Sequence, residues 1–165
     1  MIEPLTAERV GWLEREWTRV GGSKSAGYFQ GCWQAQEGVD LVLWVARSGE
    51  TLHGYIKLAR TSPYPPFAEG RLPEVQDLNV APASQRRGIG SALMDVAEAA
   101  AAKAAPAVGI AVGLHSGYGP AQKLYGLRGY VPDGQPLQYH DEAVEEGQAV
   151  RLDDSLVMHL TKRLW

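Results

Sequence analysis

The sequence predicts an α/β fold, a single domain over 1–165 with a mixed sheet of about six or seven strands and flanking helices. Strand and helix patterns follow one another in the order β-α-α-β-β-β-α-β-α-β. The runs 40–47 and 51–59 are strand-like and separated by Ser-Gly-Glu, which predicts an antiparallel hairpin. The run 107–114 is almost entirely apolar, as is typical of a strand covered on both faces. Strand–helix–strand units late in the chain favour parallel pairing there.

The first part of the chain predicts a short strand over 1–5 and two helices. Thr6 is a suitable N-cap for a helix over 7–20, whose apolar residues recur at helical spacing. A second, shorter helix is expected over 26–37 and ends at Gly38. Both helices precede the predicted hairpin.

The rest of the chain alternates strands and helices around two irregular segments. Residues 61–73 contain four prolines and are expected to form a loop. Residues 133–155 form a long acidic connection, which implies either a function or a hairpin not visible in the pattern. The remaining expected elements are strands at 74–80, 107–114 and 154–164, and helices at 88–105 and 120–129.

Composition excludes several classes of protein. The net charge of −3 gives no basis for nucleic-acid binding, which usually needs a basic surface. The single cysteine, Cys32, cannot form an internal disulfide, and no Cys/His cluster has metal-ligand spacing, so no metal is expected. No apolar run approaches the length of a membrane span, and no signal peptide is visible, so we expect a cytoplasmic protein with no membrane partner.

The stretch SQRRGIGS, residues 84–91, places two glycines where a helix is expected to begin. Glycine weakens a helix, so Gly88 and Gly90 need another explanation. The first N–H groups of a helix have no internal partner, and the helix dipole adds partial positive charge there. Glycines would let a phosphate approach these N–H groups, and Arg86 and Arg87 would add charge. The alternative for the two arginines is a solvated basic turn.

This stretch resembles the pyrophosphate motif of the GNAT superfamily of acetyl-CoA-dependent N-acetyltransferases. Residues 85–90, Gln-Arg-Arg-Gly-Ile-Gly, fit the pattern Gln/Arg-x-x-Gly-x-Gly/Ala at every fixed position. LNVAPASQRRGIGSALM resembles the family's strand–loop–helix, and AQKLYGLRGYVP resembles its later segment. The resemblance covers 74–132 well. One position departs from the pattern, because Tyr118 stands where the family often has an asparagine that contacts the cofactor arm.

The resemblance implies transfer of the acetyl group of acetyl-CoA to a primary amine by direct attack in a ternary complex. It implies that main-chain groups of β-strand residues 78–80 hold the pantetheine arm and the thioester, and that N–H groups of 85–91 hold the pyrophosphate. The cofactor-binding candidates are Leu78, Asn79, Val80, Gln85, Arg86, Arg87, Gly88, Ile89, Gly90, Ser91, Tyr118 and Tyr125.

Two residues are the catalytic candidates. Tyr125 matches the family's general acid for the departing thiolate, and its alternative is a packed core tyrosine. Glu74 stands eleven residues before Gln85, the spacing found in the family's histone acetyltransferases, and is the candidate base. Its alternative is a solvated glutamate at a strand end. Asp77 is a weaker alternative base and His115 a further candidate. His53 and His159 are interpreted as ordinary strand residues.

The acceptor is left open between small amines, amino acids and a protein amine. The resemblance places acceptor recognition on 21–28, 62–67 and 133–155. Seven acidic residues against Arg151 in the last segment could attract a cationic amine, or form a solvated loop. A non-catalytic acyl-CoA sensor with the same fold is the alternative function, and a domain for another nucleotide is a third. Homodimers are common in the family, so the resemblance also allows a homodimer.

Overall fold

A computed structural model describes all 165 residues and shows a central sheet with helices on both faces. The chain begins with β1, and a 3₁₀ turn leads into α1. The elements in order are β1 Ile2–Pro4, α1 Val10–Arg19, α2 Tyr28–Glu37, β2 Leu41–Ser48, β3 Thr51–Ala59, α3 Pro65–Glu69, β4 Glu74–Val80, α4 Ile89–Ala101, β5 Ala107–Gly113, α5 Gly119–Leu127, β6 Val131–Pro132, β7 Gln138–Tyr139, β8 Glu142–Ala143 and β9 Leu156–Arg163.

The sheet has nine strands in the order β1-β2-β3-β4-β5-β9-β7-β8, and β6 also pairs with β9. The expected mixed α/β fold is therefore confirmed, with more strands than expected because β6, β7 and β8 have only two residues each. Only β4 and β5 pair in parallel. The expected parallel pairing after β5 is wrong, because β9 enters antiparallel between β5 and β6.

Apolar side chains form a separate core on each face of the sheet. On one face, Leu13 of α1 and Phe29 of α2 pack with Tyr55 of β3. On the other face, Leu93 of α4 and Tyr125 of α5 belong to the core that includes the β4 and β5 side chains directed toward those helices. The two faces of β4 therefore meet different environments, which matters for the site described below.

Two irregular segments contain more structure than expected. The proline-rich segment 61–73 contains the short helix α3, which begins at Pro65 because proline fits the first position of a helix. Phe67 of α3 lies directly on Gly109 of β5, where an added Cβ would be only 2.2 Å from its ring. The acidic connection contains the β7–β8 hairpin, which pairs with β9. No helix is both long and apolar enough to cross a membrane.

Candidate active site

Strands β4 and β5 separate after two residue pairs and leave a wedge-shaped opening. They pair only at Glu74 with Gly109 and at Val75 with Ile110. Beyond Val75, β4 continues to pair with β3 on its other side. The main-chain groups of 76–80 on the side of β5 therefore have no strand partner there and are available to a ligand, apart from the Val80 carbonyl, which accepts from the side-chain amide of Gln85. We call the space between 76–80 and 111–113 the β4–β5 gap. It includes Leu78, Asn79 and Val80, three of the expected cofactor contacts.

A β-bulge at Asp77 controls which side chains of β4 face each way. Tyr55 pairs with Asn79 and Lys57 with Gln76, so β4 has one more residue than β3 over this interval. Asp77 has a positive φ of 55°, which costs a non-glycine residue about 1–3 kcal/mol. The bulge places the Asp77 carboxylate on the same face of β4 as the hydroxyl of Tyr55, which donates a hydrogen bond to it. The extra residue bends β4 at the gap.

The expected phosphate-binding site lies at the N-terminus of α4. Gly88 has a φ of 80°, which requires glycine, and Arg86 has a φ of 57°. The N–H groups of Arg86, Arg87 and Gly88 donate no hydrogen bond within the protein, and both arginine side chains are exposed without an ion pair. The following N–H groups, from Ile89 to Ser91, lack partners as in any first helical turn. These donors suit an anion.

Contacts around this turn connect it to the β4–β5 gap. The side-chain amide of Gln85 donates to the carbonyl of Val80 at 3.2 Å. A Cβ added to Gly90 would lie 3.5 Å from Leu124 and 3.7 Å from Val80, which is ordinary contact. The protein itself therefore has room for a methyl group at Gly90, and α5 lies beside the same opening.

His53 connects the loop before α4 to the β2–β3 hairpin. Its two ring nitrogens lie 2.8 Å from the hydroxyls of Ser84 and Ser48, and its carbonyl accepts from the N–H of Ala81 at 2.8 Å. The interpretation of His53 as an ordinary strand residue missed this contact. No sequence signal pairs residues 31 positions apart in this way.

Tyr125 lies on the inner face of α5 with only 5% of its surface exposed. Its hydroxyl makes no hydrogen bond, yet it is not enclosed, unlike the hydroxyl of the neighbouring Tyr130. Burial raises the pKa of Tyr125 to about 12. The phenol is therefore protonated at neutral pH and able to donate a proton.

Tyr118 lies at the far end of β5. Its ring covers Gly113, where an added Cβ would be 2.3 Å from the ring. Its hydroxyl donates to Asp154 at 3.2 Å, and burial together with this carboxylate raises the pKa of Tyr118. His115 contacts the same carboxylate, with Nε2 2.7 Å from Oδ1. The Tyr118 ring thus lies at the position where the family pattern has an asparagine side chain.

Glu74 is buried at the closed end of the gap, on the face of β4 opposite Tyr125. Its Oε2 accepts from the hydroxyl of Ser62 at 2.8 Å and from the amide of Gln76 at 2.9 Å. Its Oε1 has no partner and is not enclosed. The segment containing α3 covers this glutamate, so the alternative of a solvated strand-end residue is wrong: only 6% of Glu74 is exposed.

His159 of β9 is also buried beneath this segment. Its ring stacks on Tyr64 with centroids 3.6 Å apart, and its Nδ1 has no partner. Burial lowers the pKa of His159, so the ring is neutral. It belongs to the packing under α3, as expected for a strand residue.

Asp77 is the centre of a polar cluster that the sequence did not reveal. Its carboxylate accepts from Lys24 Nζ at 2.6 Å, from Asn79 Nδ2 at 2.7 Å, and from the hydroxyls of Tyr28 and Tyr55. Burial works to raise the pKa of Asp77, but the hydrogen bonds from Lys24 and Tyr28 outweigh it and hold this pKa below its ordinary value. Only the position of Lys24 and Tyr28 in the expected acceptor segment hinted at this contact.

The sequence model of the acetyltransferase (GNAT) domain matches residues 40–132, more than half of the chain and all of β2 to α5. The chain belongs to the GNAT family. Among curated proteins, no sequence matches this GNAT chain. No three His, Cys, Asp or Glu side chains are grouped to hold a metal ion.

Several solved structures share the fold over almost the whole chain. NAA60 of Arabidopsis thaliana in complex with acetyl-CoA superposes with a TM-score of 0.69 at 18% identity, covering 99% of this chain and 97% of its own. The yncA protein of Salmonella typhimurium with its cofactor acetyl-CoA has a TM-score of 0.69 at 14% identity, covering 99% and 93%. An aminoglycoside 6'-N-acetyltransferase complexed with coenzyme A has a TM-score of 0.68 at 12% identity, covering 100% and 97%.

Proposed function

We propose that this GNAT protein transfers the acetyl group of acetyl-CoA to a primary amine by direct attack in a ternary complex. The observation that carries the proposal is the β4–β5 gap, which leads from the free N–H groups of α4 to Glu74. NAA60 and yncA share this fold and were solved with acetyl-CoA. The residues present fit that cofactor, because the N–H groups of Arg86, Arg87 and Gly88 have no partner at one end of the gap and β4 has no strand partner across the gap beyond Val75.

The first task of the site is to hold the two substrates. N–H groups of 85–91 would bind the pyrophosphate, and Arg86 and Arg87 would add charge. Main-chain groups of Leu78 and Val80 would hold the pantetheine arm and the thioester. An N–H donor aimed at the developing oxyanion contributes about 3–4 kcal/mol in other acyl-transfer enzymes.

The second task is to move two protons. The amine nitrogen forms a bond to the thioester carbon, and the carbon–sulfur bond breaks. Tyr125 donates its proton to the departing thiolate. Glu74, through the free Oε1, accepts the proton lost by the amine, by way of water. The two residues lie on opposite faces of β4, and the gap is the opening through which both could reach one thioester.

Calorimetric titration with acetyl-CoA, with CoA, ATP and NAD as controls, tests the cofactor assignment. We expect selective micromolar binding of acetyl-CoA and CoA. Replacing Arg86 and Arg87 together by alanine should weaken that binding at least tenfold, because charge-assisted contacts to phosphate are lost. Lys103→Ala, an exposed charge beyond the C-terminal end of α4, is the matched control and should bind normally. Absence of binding by folded protein, or preference for ATP or NAD, would overturn the assignment.

A non-catalytic acyl-CoA sensor is the second candidate function. The observation that favours it is Tyr118, whose ring lies on Gly113 where the family pattern has an asparagine. This candidate predicts acetyl-CoA binding without amine-dependent release of CoA thiol across a broad panel of amines. Thiol release with any amine on that panel decides for the transferase.

A further inference from the structure

We propose that Asp77 is the binding group for the acceptor's ammonium, and that Lys24 occupies this position in the free protein. The proposal rests on the proposed function and names the substrate class: a primary amine whose only positive charge is the ammonium held at Asp77. That ammonium releases one proton to solvent before the neutral amine attacks, and Glu74 accepts the second proton as described above. Lys24 is thus an internal competitor that the acceptor displaces.

The Lys24 ammonium already shows what the position binds. Its Nζ lies 2.6 Å from Asp77 Oδ1 and 4.8 Å from the centre of the Tyr28 ring. A carboxylate beside an aromatic face is the arrangement that favours a primary ammonium. The side chain of Asp77 is only 15% exposed, and Lys24 is its only ion-pair partner, so loss of that cation leaves a largely buried negative charge unpaired. An incoming ammonium replaces that cation and leaves the charge of the site unchanged.

Lys24 is held at Asp77 by little else. It lies between α1 and α2 in a connection that contains Gly21 and Gly27, both with positive φ. Its ammonium makes no other hydrogen bond. By contrast, Tyr28 and Tyr55 belong to regular elements and pack in the core beneath them. The Asp77 carboxylate is therefore held by regular elements of the fold, whereas the Lys24 ammonium lies on a connecting segment.

The location of this cluster fits an acceptor. Asp77 forms the bulge beside the β4–β5 gap and lies on the same face of β4 as Glu74. A surface depression of about 400 Å³ shares Tyr28 with the cluster and is otherwise lined by residues of 25–32, Leu41 and Lys57. The acceptor's body could occupy this depression while its ammonium replaces that of Lys24.

The charge around the depression selects against polyamines. Its lining contains no acidic side chain. Lys57 Nζ lies there, 3.3 Å from the Tyr28 hydroxyl. A second ammonium on the acceptor would meet Lys57 without a compensating carboxylate, whereas a neutral, aromatic or anionic group would not be repelled. None of the residues of the acidic segment 133–155 lines this depression.

Direct binding of phenethylamine, measured by calorimetry, tests the inference without requiring turnover. We expect Lys24→Ala to bind phenethylamine about tenfold more tightly than the unmodified protein. Lys24→Arg keeps a competing cation and should bind phenethylamine with the affinity of the unmodified protein. Asp77→Asn should abolish binding. Spermidine should bind at least tenfold more weakly than phenethylamine to Lys24→Ala. Lys103→Ala is the control for removal of a surface charge.

The outcomes separate this inference from the proposed function. Unchanged or weaker phenethylamine binding by Lys24→Ala, or tighter binding of spermidine, overturns the inference. If Asp77→Asn fails to fold, the thermal midpoint of Lys24→Ala decides instead, because phenethylamine should raise it more than in the unmodified protein. Acetyl-CoA binding is measured on the same samples. Its loss in the unmodified protein would remove the proposed function, and its retention beside an unchanged phenethylamine affinity would overturn this inference and leave the proposed function standing.

Discussion

Tyr125 combines burial with a free hydroxyl, and these two properties define its predicted role. Since its pKa is raised to about 12, the phenol keeps its proton at neutral pH and has it available for the thiolate that forms as the carbon–sulfur bond breaks. We expect Tyr125→Phe to lower the turnover number by about 10²-fold or more, within the usual range for general acids. The affinity for acetyl-CoA should be unchanged. Steady-state release of CoA thiol, together with calorimetry, measures both quantities.

Tyr130→Phe is the matched control for this substitution. It removes a hydroxyl from the same core, but that hydroxyl is enclosed and cannot reach a substrate. Turnover by Tyr130→Phe should therefore equal that of the unmodified protein. Equal turnover by Tyr125→Phe as well would return Tyr125 to the role of a packed core tyrosine.

Glu74 is predicted to act as the base through the one carboxylate oxygen that lacks a partner. Glu74→Gln keeps the size of the side chain but removes its capacity to accept a proton. We expect activity at neutral pH to fall by about 10²-fold and to recover as the pH rises, because the acceptor amine then loses its proton to solvent. The pH dependence of kcat/KM is the measurement. A profile of unchanged shape and height would leave Glu74 as a structural residue beneath α3.

At the scale of elements, the bulge in β4 depends on close contact with β3. Gly54 lies against β4, and an added Cβ would be 2.4 Å from the carbonyl oxygen of Asn79. Because this obstacle is backbone, Gly54→Ala must displace β4 at the gap. We expect a loss of about 1–3 kcal/mol in the free energy of unfolding, as for other overpacked sites, and weaker binding of acetyl-CoA. Urea unfolding and calorimetry check these two effects.

Gly31→Ala provides the comparison within a helix. Gly31 lies on the exposed side of α2, and an added Cβ would meet nothing within 4 Å. Alanine is the better helix residue, so this variant should gain about 0.5–1 kcal/mol. A Gly54→Ala protein as stable as Gly31→Ala would show that β4 can shift without cost.

The same elements show what the sequence could predict. The periodic runs predicted α1, α2, β2 to β5 and β9 within a few residues, because one buried face dictates each pattern. The Gln85–Gly90 motif predicted the free N-terminus of α4 for the same local reason. The bulge at Asp77 was not predictable, since it appears only in the register of β4 against β3. Strands β6 to β8 were not predictable either, because two residues are too few to show a periodic pattern. The contact of Lys24 with a carboxylate 53 positions away also has no signal in the sequence.

At the scale of the whole molecule, one ion-pair network connects three separate parts of the chain. Glu98 of α4 accepts from Arg128 Nε at 2.8 Å, just after α5, and from Lys162 Nζ of β9 at 2.6 Å. Arg128 also donates to Asp95 at 2.7 Å. The side chains of Glu98 and Arg128 are only 11% and 15% exposed. Helix α4, whose N-terminus is the proposed phosphate-binding site, is therefore fixed to α5 and to β9 by charge as well as by apolar packing.

This network makes the stability of the fold depend on pH in a predictable direction. Burial works to raise the pKa of Glu98, but hydrogen bonds from Arg128 and Lys162 outweigh it and hold that pKa below its ordinary value of 4.5. A carboxyl whose pKa is lower in the folded state binds protons more readily when the chain is unfolded. The contribution of Glu98 to the free energy of unfolding is therefore complete above pH 4.5 and is lost as the pH falls through the pKa of Glu98 in the folded protein. Glu98→Gln removes this charge and leaves Arg128 and Lys162 partly buried without it. We expect a loss of about 2 kcal/mol at pH 7, moderated because water and salt reach the edge of the network.

Urea unfolding of both proteins between pH 7 and pH 3 measures the effect. The difference between Glu98→Gln and the unmodified protein should be largest at pH 7 and should shrink below pH 4.5, because acid protonates Glu98 in the unmodified protein and produces the same neutral side chain. Glu142→Gln, an exposed carboxyl of β8 without an ion pair, is the control and should follow the unmodified protein throughout. A difference that stayed constant with pH would mean that Glu98 stabilises the molecule by packing. A difference in the free energy of unfolding that shrinks in acid would show that the charge of Glu98 stabilises the contact of α4 with Arg128 and β9.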